Sequence, residues 1–184
     1  MADIKKEENV FEEFEKMPDE RAVWKELLFL LGKIAVIALV FALLFTLVYG
    51  IMPSREPSMA PAIKDGDLVI FYRYNKNRYQ PQDAIVLKYD GQMQARRIIA
   101  TAGDTVDIRQ EGLWINGALQ QEGEAYSVTE RYQSGVSFPL TVPEGQIFVL
   151  GDNRSGAADS RIYGCVDIER TLGKVMTVIR RRNI

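Results

Sequence analysis

Ile34 to Met52 is a run of 19 consecutive residues without a charge, IAVIALVFALLFTLVYGIM. A helix of that length covers roughly 28 Å, about the hydrocarbon thickness of a bilayer. Leu27 to Leu31 extend the apolar stretch upstream, and Lys33 can snorkel from within it. A uniformly apolar core helix would need a larger protein around it than 184 residues supply. A cleaved leader is disfavoured by the long acidic region ahead of the segment and by the lack of a small-x-small site after it. The run therefore predicts one transmembrane helix over residues 27–52. It separates an acidic tail, residues 1–26, from an outer domain, residues 53–184. Arg21, Lys25 and Lys33 flank the N-terminal edge, against Arg55 close after the span. The positive-inside rule then places the N-terminus in the cytoplasm and the C-terminal domain outside, in a single-pass protein of the cell membrane.

Charge and composition narrow the chemistry. The first 26 residues hold five basic and nine acidic side chains, which suits a solvated tail better than a partner for anionic lipid. Val10, Phe11, Phe14 and Met17 share a helical face there, leaving room for a partner or a short helix. The net charge of -2 gives no argument for nucleic acid. A single cysteine, Cys165, excludes an internal disulfide. Histidine is absent, which removes Ser-His-Asp and Cys-His catalysis and histidine-bearing zinc sites. No metal or nucleotide motif is present, so no cofactor is expected. A hydrolase built on this chain must use a lysine, a carboxylate or nothing.

Beyond the span the texture becomes β. Short runs of alternating or β-branched residues recur between turn signals at Leu68–Tyr74, Ala84–Tyr89, Met93–Ala100, Thr105–Arg109, Leu113–Asn116, Gln146–Leu150 and Leu172–Arg180. Asp90-Gly91 reads as a two-residue hairpin turn, and Asn116-Gly117 is another turn signal. The expected fold class is mostly β: one N-terminal transmembrane helix followed by a compact β-rich domain.

Four segments of that domain carry potential chemistry. They are Pro57-Ser58-Met59-Ala60-Pro61; Arg96-Arg97-Ile98-Ile99-Ala100-Thr101-Ala102-Gly103-Asp104; Gly112-Leu113-Trp114-Ile115-Asn116-Gly117; and Gly151-Asp152-Asn153-Arg154, followed by Asp159-Ser160-Arg161. Each alone reads as a turn, a basic edge or a hairpin. In this order, after a single span, they resemble the type I signal peptidases of the Ser/Lys kind, in their small single-span form. That family's serine box reads Ser-Met-x-Pro, matched by Ser58, Met59 and Pro61. Its lysine box reads Lys-Arg, two apolar residues, a small residue, then x-Pro-Gly-Asp. Its last box reads Gly-Asp-Asn-Arg, a short loop with a serine, then x-Asp-Ser-Arg. Gly66-Asp67, Val142-Pro143 and Gly173-Lys174 match linking phrases. The resemblance implies a signal-peptidase-like domain with Ser58 at the nucleophile position. Met59, Pro61, Arg97, Gly151, Asp152, Asn153, Arg154, Asp159, Ser160 and Arg161 are its implied supporting residues, Asp159 and Arg161 as a charged pair under the strand that carries Ser58.

The departures matter as much. In the family a buried neutral lysine takes the serine proton, and its position here is Arg96. Burial lowers a lysine pKa by several units at modest cost, but arginine starts near about 13.8 and its neutral form at pH 7 lies roughly 9 kcal/mol uphill. Arg96 cannot be the base. The family's loop serine, which orients the lysine, falls at Ala157. Ala62, Ala100 and Ala102 also replace the usual residues. Of the other lysines, the Asp90-Gly91 hairpin would pair Tyr89 with Gln92 and Ile85 with Arg96, turning Lys88 to the face opposite Arg96. Lys64, six residues after Ser58, stays a poor candidate.

Two functional readings follow from the resemblance, with a third behind them. One is a catalytically impaired homologue that binds signal-peptide-like or pilin segments in surface-protein or pilus assembly, in company with sortase and pilus components. The alternative is an active serine endopeptidase that cleaves signal peptides of exported proteins at the membrane surface. A related Ser/Lys autoprotease or a structural membrane protein is the third. In either leading case the ligand is an extended peptide with small side chains, added to a strand edge. The Ser58 N–H would be open as an oxyanion donor, because proline occupies position 57 and not 58.

Overall fold

The computed structural model of the chain describes residues 20–121 and 128–180. Most of the expected acidic tail, with the face from Val10 to Met17, lies outside the described residues. Two units make up the chain, residues 1–44 and residues 45–184.

The first unit carries most of helix α1, Glu20–Leu47. Its 28 residues rise roughly 42 Å. Apolar side chains are exposed on every side of it, Trp24, Phe29, Val36, Leu39 and Phe41 among them. By length and composition the helix can cross a membrane.

Its bounds differ from the expected 27–52 at both ends. Glu20 to Glu26 are already helical, since Glu20, Arg21, Ala22, Lys25 and Glu26 are good helix formers. At the other end the helix stops at Leu47, and Tyr49–Pro53 form strand β1. In β1 burial alternates, with Gly50 and Met52 turned in and Ile51 and Pro53 turned out. Gly50 is required there, because a Cβ would stand 2.1 Å from the Phe71 ring. A switch from helical to strand period cannot be read inside a charge-free run with almost no polar residue.

The second unit is built on two antiparallel sheets. After β1 the larger takes in β2 (Leu68–Tyr72), β3 (Ala84–Tyr89), β4 (Gln92–Thr101), β9 (Gln146–Leu150), β10 (Val166–Asp167) and β11 (Thr171–Ile179). Their order across the sheet is β1-β2-β11-β3-β4-β9-β10. The smaller sheet runs β7-β6-β5-β8, from β5 (Thr105–Arg109), β6 (Gly112–Ile115), β7 (Ala118–Leu119) and β8 (Leu140–Thr141). The fold is mostly β, as expected, and every strand singled out in the sequence is present: three keep the expected bounds and four have an end moved by one or two residues.

The β3–β4 hairpin turns at Asp90 and Gly91 with φ of 46° and 75°. Two consecutive left-handed residues are what a two-residue turn of this kind requires. The turn sets the register, so Tyr89 pairs with Gln92, Lys88 with Met93 and Ile85 with Arg96.

Packing fixes where the site can form. Ile147, Phe148, Val149 and Leu150 of β9 are wholly buried, so β9 is a central strand apolar on both faces. Met59 packs into a cluster with Met52, Ile63, Val69, Phe71, Val86 and Ala95. That cluster anchors the turn carrying Ser58 to the face of β2 and β3. Close approach between β11 and β2 depends on Gly173, whose φ is 155° and whose added Cβ would lie 2.1 Å from the Tyr72 carbonyl oxygen. Gly173→Ala should therefore destabilise the domain by about 2–4 kcal/mol, combining overpacking with backbone strain. Denaturant unfolding in detergent checks this, and an unchanged midpoint would remove the close approach from the account.

Candidate active site

Ser58 does not stand on a strand. Pro57–Met59 form a single 3-10 turn between β1 and β2, with proline pre-set at its start and Met59 pulled into the core. The Ser58 side chain is buried, 1% exposed. Its carbonyl accepts the Asn153 N–H at 2.9 Å, and the Asn153 amide donates to the Pro57 carbonyl at 3.4 Å. The last box thus holds the serine turn through main chain. No described residue accepts the Ser58 N–H, which leaves that donor open.

Arg96 enters from β4 and is 0% exposed. The two Nη1 hydrogens are shared among Ser58 Oγ at 2.8 Å, Glu56 Oε1 at 2.7 Å and the Ala95 carbonyl at 2.6 Å. Nε and Nη2 donate to the Ala158 carbonyl at 2.9 and 2.8 Å, and Nη2 also reaches Gln94 Oε1 at 2.9 Å. Every nitrogen of the guanidinium is engaged, as a buried arginine requires. The expected pair, Ser58 with residue 96, is brought together. The hydrogen bond between them runs from the arginine to the serine, and among the described residues nothing accepts the serine proton.

Tyr163 adds a group that motif reading passes over. Helix α2, Ser160–Tyr163, brings its hydroxyl into the interior, where it has no well-formed hydrogen bond among the described residues. Burial pushes its phenol well above the usual range, and the nearby Arg96 guanidinium opposes that shift. Gln94, Ala158 and Glu56 were likewise not legible as site residues. Glu56 alone left a signal, a carboxylate two positions before the serine.

The supporting residues form a second layer. Arg161 and Asp159 make the expected charged pair, bidentate at 2.9 and 2.8 Å, with Asp159 0% and Arg161 2% exposed. The pair supports a different element from the one expected. Asp159 accepts the Gly151 N–H at 3.1 Å and caps α2 at the Arg161 N–H, while Arg161 donates to the Arg154 carbonyl at 2.6 Å. It therefore braces the 151–154 loop, and that loop in turn holds Ser58. Ser160 Oγ accepts the Val149 N–H at 2.9 Å. Arg97 pairs bidentately with Asp152 at 2.7 and 2.6 Å. Arg154 donates to the Gly151 carbonyl at 2.8 Å and to Thr129 Oγ1. Burial and the neighbouring Arg161 lower its pKa to about 10, which leaves it charged at neutral pH.

Gly151 must be glycine, since a Cβ would meet the Ala157 Cβ at 2.3 Å and the Ser58 carbonyl oxygen at 2.7 Å. Ala157, 1% exposed, fills that contact with a methyl group. Pro61 frames the far side of the turn, its carbonyl 3.4 Å from Arg180 Nη2. Lys64 and Lys88 are exposed, and Lys88 keeps the register that turns it away from Arg96. The Cys165 thiol is pushed up to about 11 by burial, so it is not a ready nucleophile. Among the described residues no cluster of three or more His, Cys, Asp or Glu side chains could hold a metal ion.

A serine turn, a neighbouring strand that supplies its partner and a braced loop make up the site. The family described as "Signal peptidase, peptidase S26" matches residues 8–179. The chain belongs to the signal peptidase family. It is similar to signal peptidase I of Bacillus licheniformis, 32% identical over 130 residues that cover 63% of this chain and 68% of that one. Signal peptidase IB of Staphylococcus aureus is 26% identical over 168 residues, covering 82% and 88% of the two chains. A crystal structure of a signal peptidase I from Enterococcus faecalis is 35% identical, covers 54% of this chain and 97% of that chain, and has a TM-score of 0.45. Within this family α1 is suited to be the membrane anchor.

The bracing pair gives a direct test. Asp159→Ala should cost about 3–5 kcal/mol, because Arg161 is left buried without its carboxylate. Melting of the solubilised protein should fall by roughly 10 °C or more. Arg161→Ala should do the same, and the double change should cost less than the two losses added. Full additivity, or an unchanged melting temperature, would rule out a bracing pair.

Proposed function

We propose that this member of the signal peptidase family binds extended, signal-peptide-like or pilin segments at the membrane surface and hydrolyses them negligibly, serving surface-protein or pilus assembly. The observation that carries this reading is the direction of one hydrogen bond. Arg96 Nη1 donates to Ser58 Oγ at 2.8 Å, at the place where a base would have to accept. The guanidinium can stabilise negative charge on that oxygen. It cannot take the proton, since a guanidinium is donor-only and has no lone pair to accept with. The partners inferred with this reading are the lipid bilayer, an exported or pilin segment, and sortase or other pilus assembly components.

One observation favours the reading as an active endopeptidase. The Ser58 N–H has no acceptor among the described residues, so an oxyanion donor is in place beside the serine. That donor binds a peptide carbonyl equally well without turnover. An active enzyme would still need a base that the site does not provide.

Turnover separates the two. Cleavage of a preprotein in detergent by the natural protein should equal that by Ser58→Ala. Arg96→Lys restores a titratable amine, but Ala157 lacks the hydroxyl that would hold it, so the single change should recover only part of the activity. A well-placed general base contributes roughly 10²–10⁴-fold. Arg96→Lys with Ala157→Ser should exceed the product of the two single effects. Clear turnover by the natural protein, lost in Ser58→Ala, would overturn the impaired reading.

The proposed orientation puts residues 1–26 inside and the β domain outside. Protease added to intact protoplasts should then remove the β domain and spare the tail. Loss of the N-terminal tail alone would reverse the assignment.

A further inference from the structure

Arg96 Nη1 serves two side chains at once, the Ser58 hydroxyl and a carboxylate. Glu56 Oε1 accepts from the same nitrogen at 2.7 Å. Glu56 lies two residues before Ser58 in extended backbone that leads into the serine turn. Its side chain is 35% exposed, against 0% for Arg96. One end of this ion pair therefore meets solvent and the other is sealed in.

The remaining neighbours of the guanidinium carry no charge. They are the carbonyls of Ala95 and Ala158, the Gln94 amide and the Ser58 hydroxyl. From α2 the Tyr163 hydroxyl faces it as a neutral phenol at physiological pH. Asp159, on the same side, is spent bidentately on Arg161, and Asp152 is spent on Arg97. Among the described residues, then, the charge of Arg96 is balanced by Glu56 and by no second carboxylate.

We propose that Glu56 is a positioning residue that fixes the charged state of position 96, so that the serine turn itself carries the counter-ion that keeps the site from holding a neutral base. The proposal rests on the reading of Arg96 given above and extends it to a second side chain. A general base must lose its proton to work. An opposite charge within ~4–6 Å favours the protonated form of an amine. The carboxylate at 56 would therefore hold an introduced lysine as an ammonium ion, which donates to Ser58 as the guanidinium does. Replacing the arginine alone leaves this obstacle in place. Glu56→Gln keeps the shape and a carbonyl acceptor while removing the charge.

The test reads the charge directly. Full-length protein in detergent micelles is labelled with ¹³Cε-lysine, and the extra resonance of Arg96→Lys is identified against the natural chain. Its midpoint is read with the Glu56 carboxylate in place. Adding Glu56→Gln should lower it by at least about one pH unit. In the preprotein assay the same addition should raise the turnover of Arg96→Lys and move the rising limb of its pH profile down. Equal midpoints in the two variants would overturn the assignment of Glu56. This outcome is independent of whether the natural protein cleaves anything, which is the separate test of the impaired reading.

Should the lysine variants fail to fold, melting of the charge-deleted background decides. Glu56→Gln should lower the melting temperature in the natural chain, where it strands the buried guanidinium, and should have little effect in Arg96→Met. Equal losses in both backgrounds would contradict the counter-ion role.

Discussion

A guanidinium with no solvent around it must give away each of its N–H groups and have its charge balanced, and Arg96 meets both demands inside this domain. Five acceptors from three parts of the chain converge on it through six hydrogen bonds: the residues leading into and forming the serine turn, its own strand at Gln94 and Ala95, and the loop at Ala158. The serine is one acceptor among these, so its chemistry is set by what the arginine needs. A buried cation that donates to Ser58 Oγ can stabilise negative charge on that oxygen, and among the described residues nothing accepts the serine proton.

The rest of the domain works to hold those parts still. β9 is buried on both faces and ends at Leu150, directly before the loop whose Asn153 N–H fixes the Ser58 carbonyl. Beneath that loop lie two bidentate arginine–carboxylate pairs, Arg97 with Asp152 and Arg161 with Asp159. Such pairs cost desolvation and recover it only with good geometry and additional hydrogen bonds, which both pairs have here.

Much of this was legible from residue order alone. The Asp90-Gly91 turn determines the β3–β4 register, and that register alone turns Lys88 away from Arg96. The boxes around Ser58, Arg96 and Asp159 converge as their order suggested. What escaped did so for physical reasons. β1 is hidden because the apolar run leaves no contrast in which a period of two could show. The two-residue strands β7, β8 and β10 are too short to carry a pattern. Ser58 was expected on a strand, yet Pro57 and the burial of Met59 curl it into a turn. Glu56, Gln94, Ala158 and Tyr163 join the site through tertiary contact or main-chain carbonyls, and a main-chain acceptor leaves no mark on residue identity.

The central claim concerns one side chain, and ¹⁵N NMR of the arginine guanidinium groups reads it without reference to any substrate. In full-length protein in micelles, the Nη protons of Arg96 should appear as separate, slowly exchanging resonances, unlike those of the exposed Arg78. Ser58→Ala should move them selectively. Fast-exchanging, averaged Nη protons that ignore the loss of the Ser58 hydroxyl would contradict the account.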